Sequence, residues 1–206
     1  ACQRSGRAES DVTLVAVTKR VDPERIRQAY DLGVVDFGEN YLQEAVKKVE
    51  VLPQGIRWHM IGHIQSNKAK LVPGHFDYVH SIDRLEILKA LDRYGKTLKI
   101  LFEVNLSGEA TKHGSTEDDL RPMLEYVSRL EHLEPVGLMT MPPLVDDPEE
   151  VRPYFRELRN LLDRCNREFG LSMTELSMGM SQDFEVAIEE GATMVRIGTA
   201  LFGERH

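Results

Sequence analysis

Eight times along this chain a short apolar run gives way, through a polar or glycine-bearing turn, to a stretch whose apolar residues recur at helical spacing, and that repeat constrains the fold more than any other feature. Val12 to Thr18 is near-continuously apolar rather than alternating, the pattern of a parallel strand covered on both faces, and Lys19 ends it. Asp22-Pro23-Glu24 then supplies an N-cap, a first-turn proline and an acidic first turn, with Ile26, Ala29 and Tyr30 as the helical stripe up to Gly33. Val34 to Phe37 leads through Gly38-Glu39-Asn40 into Leu42, Ala45, Val46 and Val49, and Ile56 to Ile61 leads into the polar stretch Gln65 to Lys70. Asp77 to His80 precedes a helix striped by Leu85, Leu88 and Leu91. Leu98 to Val104 precedes Leu120, Met123, Leu124, Val127 and Leu130, a helix whose start Pro122 obscures. Pro135 to Met139 precedes the longest amphipathic stretch, Val151 to Phe169, capped by Asp147-Pro148-Glu149. Glu175 to Met178 and Thr193 to Ile197 open the last two units, with helices expected near Ser181 and Thr199.

Eight strand-then-helix units without a glycine- or proline-rich linker predict an α/β fold, a single (β/α)8 TIM-type barrel over residues 1–206, with an open doubly wound sheet as the alternative. The 206 residues, 41% of them hydrophobic, suffice for one core. Ala1 to Arg7 reads as the tail of something longer, an N-terminal helix cut short. A net charge of −8 lacks the cationic field of a general nucleic-acid binder, no basic patch is interleaved with aromatics, and small molecules are the expected partners. No apolar run approaches the roughly 20 residues needed to span a bilayer, and no leader opens the chain. Two cysteines, Cys2 and Cys165, make a disulfide framework improbable, so a cytoplasmic protein outside the membrane is expected.

In a barrel of this kind, chemistry sits where strands end and helices begin. Lys19 follows directly on an apolar strand, and a lysine amine at such a mouth is what imine chemistry employs. On position alone the plainer reading is stronger: a lysine that lays its stem over the rim and keeps its charge in water. Ser177-Met178-Gly179-Met180-Ser181 and Arg196-Ile197-Gly198-Thr199-Ala200 follow the last two strands, where barrels often bind phosphate between backbone amides and a helix N-terminus. Ser181 and Thr199 would add hydroxyls there, or serve as ordinary N-caps. Arg196 interrupts an apolar strand, which is costly unless its guanidinium pairs with a carboxylate such as Glu103 or donates to a ligand in the mouth. Glu39 and Asn40 either cap a helix or touch the same ligand; Met139 and Thr140 end strand six, where a methionine is more often packing than a contact to a flat ring.

His59 and His63 have the i,i+4 spacing of a helical metal pair but sit on a strand end with Gly62 between them, so no metal is expected. Trp58 is a core or shell residue, and Asp146, Asp147, Glu149 and Glu150 form a solvated, dipole-complementing surface. The polar loop of Asn105 to Gly108 and Lys112 to Gly114 is a lid or a plain surface loop.

In order and along nearly the whole chain, these segments resemble the pyridoxal-phosphate homeostasis protein family. The residues that carry the resemblance are Ala16-Val17-Thr18-Lys19, Gly38-Glu39-Asn40 with Gln43-Glu44, and Trp58-His59-Met60-Ile61-Gly62 with Gln65 and Asn67-Lys68. Further matches are His80-Ser81-Ile82-Asp83, Gly137 to Met141, Leu176 to Asp183 and Arg196 to Gly203. Each is weak alone and the set is specific. The resemblance implies a barrel of the alanine-racemase type holding pyridoxal 5′-phosphate (PLP) as an internal aldimine on Lys19. It implies Arg196 facing the pyridine nitrogen, Ser181 and the Gly198-Thr199 backbone on the phosphate, and Asn40 near the ring's polar edge, with Met139, Met178 and Gly179 as lesser contacts. An arginine at the pyridine nitrogen leaves that nitrogen unprotonated and the ring a poorer electron sink. The expected role is therefore a PLP-binding protein of vitamin B6 and amino-acid homeostasis, possessing no strong catalysis and passing cofactor to PLP-requiring apo-enzymes. The alternatives are a PLP-dependent amino-acid racemase or decarboxylase, and a Schiff-base aldolase with a phosphorylated substrate.

Overall fold

The computed structural model describes residues 1–94, 96–109 and 112–204. Each apolar run forms a strand: β1 Thr13–Val17, β2 Asp36–Glu39, β3 Arg57–Met60, β4 Tyr78–Ile82, β5 Leu98–Glu103, β6 Leu133–Met139, β7 Glu175–Ser177 and β8 Met194–Ile197. They pair in chain order, all parallel, and β8 returns to β1 to close the barrel. Parallel strands need a crossover between them, and the helical stripes supply it.

The helices are α1 Cys2–Ser5, α2 Pro23–Asp31, α3 Leu42–Val51, α4 Leu85–Asp92, α5 Glu117–Tyr126, α6 Arg152–Phe169, α7 Phe184–Glu189 and α8 Thr199–Phe202. Local chemistry sets their ends. Asp22 accepts from the Glu24 N–H at 2.8 Å with Pro23 in the first turn of α2. The Thr116 hydroxyl accepts from the Asp119 N–H at 3.1 Å, so α5 begins five residues before Pro122, and the carbonyl that the proline cannot serve belongs to exposed Asp118. α6 buries Phe155, Leu158, Leu161, Leu162 and Cys165 at helical spacing; each large apolar side chain so covered stabilises by about 1.5–3 kcal/mol. Burial pushes the Cys165 thiol up to about 11, so it behaves as packing.

Two expected helices differ. The Gln65 to Lys70 stretch is a 3₁₀ segment, Ser66–Leu71, and the helix expected near Ser181 begins at Phe184. The chain first makes a turn in which Asp183 accepts from the Met180 N–H at 2.6 Å, and this leaves Ser181 outside the helix. At the other end, α1 packs on α7 through ion pairs of Arg4 with Glu185 and Glu189. Among the described residues no helix is long and apolar enough to cross a membrane.

Barrel closure places the chemistry. Val15 of β1 lies opposite Arg196 of β8, and Ala16 opposite Ile197, so the segment carrying Lys19 and the strand carrying Arg196 are hydrogen-bonded neighbours despite their separation in sequence.

Candidate functional site

A cleft of about 470 Å³ opens where the strands end. Lys19 after β1, Asn40 after β2 and Ile61 after β3 line one part of it; Ser181 after β7, with Arg196 of β8 and Gly198-Thr199 beyond it, line another. The run Met141-Pro142-Pro143-Leu144-Val145 forms an apolar wall, with Leu144 84% exposed. Mostly apolar walls with a few convergent polar groups describe a small-molecule site.

The backbone on both sides of Lys19 is held by a buried charged cluster. Lys48 of α3 donates to the Thr18 carbonyl at 2.6 Å, to Glu39 Oε1 at 2.7 Å and to Glu44 Oε1 at 2.6 Å. The Thr18 hydroxyl donates to Glu39 Oε1 at 2.6 Å, and the Arg20 N–H donates to Glu44 Oε1 at 2.6 Å. Arg20 has φ 57°, left-handed and uncommon for a residue with a Cβ, and it turns the chain sharply just after Lys19. Burial pushes the Glu39 carboxyl up, against the hydrogen bonds from Lys48 and Thr18.

Arg196 is 3% exposed. It donates to Ser177 Oγ at 2.7 Å and to the Thr140 carbonyl at 3.0 Å. Of the two acceptors considered for it, Glu103 makes no direct pairing: among the described residues no hydrogen bond or ion pair joins the two, and Glu103 acts as a nearby charge. Burial pushes the guanidinium down to about 10, with Glu103 and Asp183 pulling the other way, so it stays charged at neutral pH. Burial and the charge of Asp83 push the Glu103 carboxyl up to about 7.

The two glycine-bearing turns meet. The Ala200 N–H donates to Ser181 Oγ at 3.3 Å, which brings Ser181 beside Gly198-Thr199. Gly179, φ +95°, is required by the backbone: a Cβ there would sit 2.6 Å from the Ala187 Cβ, and its carbonyl accepts from the Arg196 N–H at 2.9 Å. Asn40 offers an orphan. Its Oδ1 is buried without a hydrogen-bond partner on the wall of the cleft, and such an atom costs free energy unless a ligand or water supplies a donor.

Residues 3–206 match the family described as alanine racemase, N-terminal domain. The chain is 48% identical over 210 residues to the pyridoxal phosphate homeostasis protein of Aquifex aeolicus, covering 100% of this chain and 92% of that one. It belongs to the pyridoxal phosphate homeostasis protein family. The family's counterpart in Pseudomonas aeruginosa is 44% identical, covering 100% of this chain and 90% of that protein. Among solved structures, PipY of Synechococcus elongatus PCC7942 with PLP bound superposes with a TM-score of 0.88 at 38% identity, covering 98% of this chain and 96% of that one. The family fold accounts for the eight-unit pattern and for the side of the barrel on which the polar residues gather.

Six of the residues singled out from the sequence therefore line one cleft: Lys19, Asn40, Ser181, Arg196, Gly198 and Thr199. Met139, Met178 and Gly179 are not on that wall; Met139 and Met178 are fully buried behind it. Three participants went unread. Lys48 carries no signal of burial, because Glu44 and Lys48 at i,i+4 look like a surface pair. Asp36 and His80 find their side-chain partners only across strands, at least 21 residues away in the chain. Trp58 is core, 6.1 Å from the Phe37 ring centroid. Among the described residues, His63, Asp83 and His113 are the side chains close enough to share a metal ion. The His63 and His113 rings stack at 4.7 Å and 22°, and Asp83 is paired with Arg84 through one oxygen and lies 3.3 Å from His63 Nδ1 through the other.

Proposed function

We propose that residues 1–206 form one PLP-binding unit that holds pyridoxal 5′-phosphate in this cleft as a Schiff base on Lys19, and that it serves PLP homeostasis in the cytosol by storing cofactor and passing it to PLP-requiring apo-enzymes rather than by turning over amino acids. One observation carries the reading: a lysine, a buried arginine, two hydroxyl- and glycine-bearing turns and an orphaned Asn40 oxygen share one cleft. When bound, PLP supplies an aldehyde and an electron-accepting ring. Lys19 anchors the aldehyde end. Ser181 and the Gly198-Thr199 backbone receive the phosphate, Asn40 takes a donor at the ring's polar edge, and Arg196 faces the ring nitrogen. Because guanidinium only donates and stays charged, Arg196 orients that nitrogen without giving it a proton.

The cleft's own chemistry favours holding over catalysis. Of the described residues that line it, the titratable ones are Lys19, Asp183 and Arg196, and the Asp183 carboxylate is already tied to the Met180 N–H. Amino-acid racemisation needs a second proton-transfer group facing the first, and none of these supplies one. Both described thiols are free, as suits a reducing compartment.

The purified protein is expected to be yellow, to lose its visible band with borohydride, and then to carry the cofactor mass on the Lys19 peptide. Lys19→Ala is expected to fold and lack the band. A band that persists in Lys19→Ala as a Schiff base on another lysine overturns the site. Rapid racemisation or decarboxylation of a common amino acid overturns the homeostasis role, and a colourless protein indifferent to added PLP overturns the cofactor.

A further inference from the structure

A line of hydrogen bonds runs up the inside of the barrel, from the N-terminal end of the strands to Arg196. At its foot Arg57 donates to both Asp36 oxygens, at 2.8 and 2.7 Å. Asp36 Oδ1 meets His59 Nε2 at 2.9 Å, His59 Nδ1 meets His80 Nε2 at 2.9 Å, and His80 Nδ1 meets Ser177 Oγ at 2.7 Å. Ser177 Oγ accepts from Arg196 at 2.7 Å. His59, His80 and Ser177 have no exposed surface, so the links between Asp36 and Arg196 are closed to solvent.

The ends fix the direction of every proton between them. An arginine has only donors and an ionised aspartate only acceptors. Burial alone would raise the Asp36 carboxyl, but the hydrogen bonds from His59 and Arg57 hold it below its ordinary value, ionised at neutral pH. Asp36 requires His59 to donate from Nε2. His59 Nδ1 then accepts from His80 Nε2, and His80 Nδ1 accepts the Ser177 proton while Arg196 takes a lone pair of Ser177. The reverse order sets a His59 lone pair against a carboxylate lone pair, or requires a charged imidazole in the apolar interior. Burial pushes both histidines down, His80 well below its ordinary value, with the charge of Arg196 acting in the same direction.

We propose that Asp36, His59, His80 and Ser177 are positioning residues for Arg196, a one-way chain of neutral hydrogen bonds that fixes the guanidinium in the mouth and makes the cofactor's ring nitrogen sensitive to changes at the far end of the barrel. The last clause rests on the PLP reading above; the direction of the chain does not. With Ser177 turned toward His80 and the Thr140 carbonyl on its other side, the guanidinium has its plane set before any ligand arrives, which is how a site avoids the cost of ordering a long side chain on binding.

Two measurements decide it. Long-range ¹H–¹⁵N spectra of the cofactor-free protein are expected to show His59 and His80 both neutral with the proton on Nε2; an Nδ1–H tautomer or an imidazolium at either position overturns the chain. In the loaded protein, Ser177→Ala is expected to weaken PLP binding about tenfold and to shift the visible band, with Ser177→Thr restoring both. Asp36→Asn, remote from the cleft, is expected to shift the band in the same direction by less. Folded Ser177→Ala and Asp36→Asn proteins with wild-type band and affinity, judged against their circular dichroism, overturn the positioning role. If Ser177→Ala does not fold, Asp36→Asn and the tautomers decide alone. If the wild-type protein binds no PLP, the functional reading falls together with the ring-nitrogen clause, and the tautomers still decide the chain.

Discussion

Two buried polar networks meet at the mouth of this barrel, and they differ in kind. Beneath Lys19 the network is ionic: Lys48 sits among Glu39, Glu44 and the Thr18 carbonyl within 2.7 Å, and what it grips is backbone. Beneath Arg196 it is a file of neutral imidazoles and a hydroxyl between one buried cation and one carboxylate, and what it grips is a side chain. A charged cluster tolerates burial only while complete, whereas a neutral chain loses one link at a time. The backbone on both sides of Lys19 is thus what the ionic cluster grips, whereas Arg196 is gripped at its guanidinium.

This difference sets the order of expected effects. The largest is Lys48→Met, which leaves Glu39 buried beside Glu44 and is expected to cost about 3–5 kcal/mol by chemical denaturation. The double variant with Glu39→Gln recovers most of that if charge is what was lost; no recovery means that Lys48 stabilises by packing. Next is Glu103→Gln. The Glu103 carboxyl, raised to about 7, holds its proton more tightly folded than unfolded, where it titrates near 4.5. Folded stability therefore falls as pH rises from 4.5 to 7, and above pH 7 the buried carboxylate costs about 3 kcal/mol. Melting curves of the cofactor-free proteins are expected to separate above pH 7, with the variant more stable, and to coincide near pH 4. Ser177→Ala leaves an Arg196 N–H and His80 Nδ1 unpaired, for about 1–3 kcal/mol. Arg57→Gln is smallest, below about 1 kcal/mol, because that side chain is 56% exposed; a loss as large as that of Lys48→Met would erase the distinction between the two networks.

The barrel was legible because each strand is a local apolar run and each helix a local stripe, and Lys19 and the turns at Ser181 and Gly198 were legible because barrels place chemistry after strand ends. The inner chain was not. Asp36, His59, His80, Ser177 and Arg196 lie on five different strands, and only closure aligns them. The sequence left Arg196 either a carboxylate such as Glu103 or a ligand as its acceptor; a serine and a backbone carbonyl engage the guanidinium without bringing a second formal charge into its contacts.

The seam between β1 and β8 also has a kinetic meaning. Lys19 and Arg196 stand 177 residues apart in the chain, so their encounter is among the most non-local events in its folding. A partly folded chain with seven strands in place has a core but an incomplete site, because Arg196, Gly198 and Thr199 arrive with the eighth. Capture of the cofactor during refolding therefore reports the final step of barrel closure, and PLP stabilises only chains that have completed it.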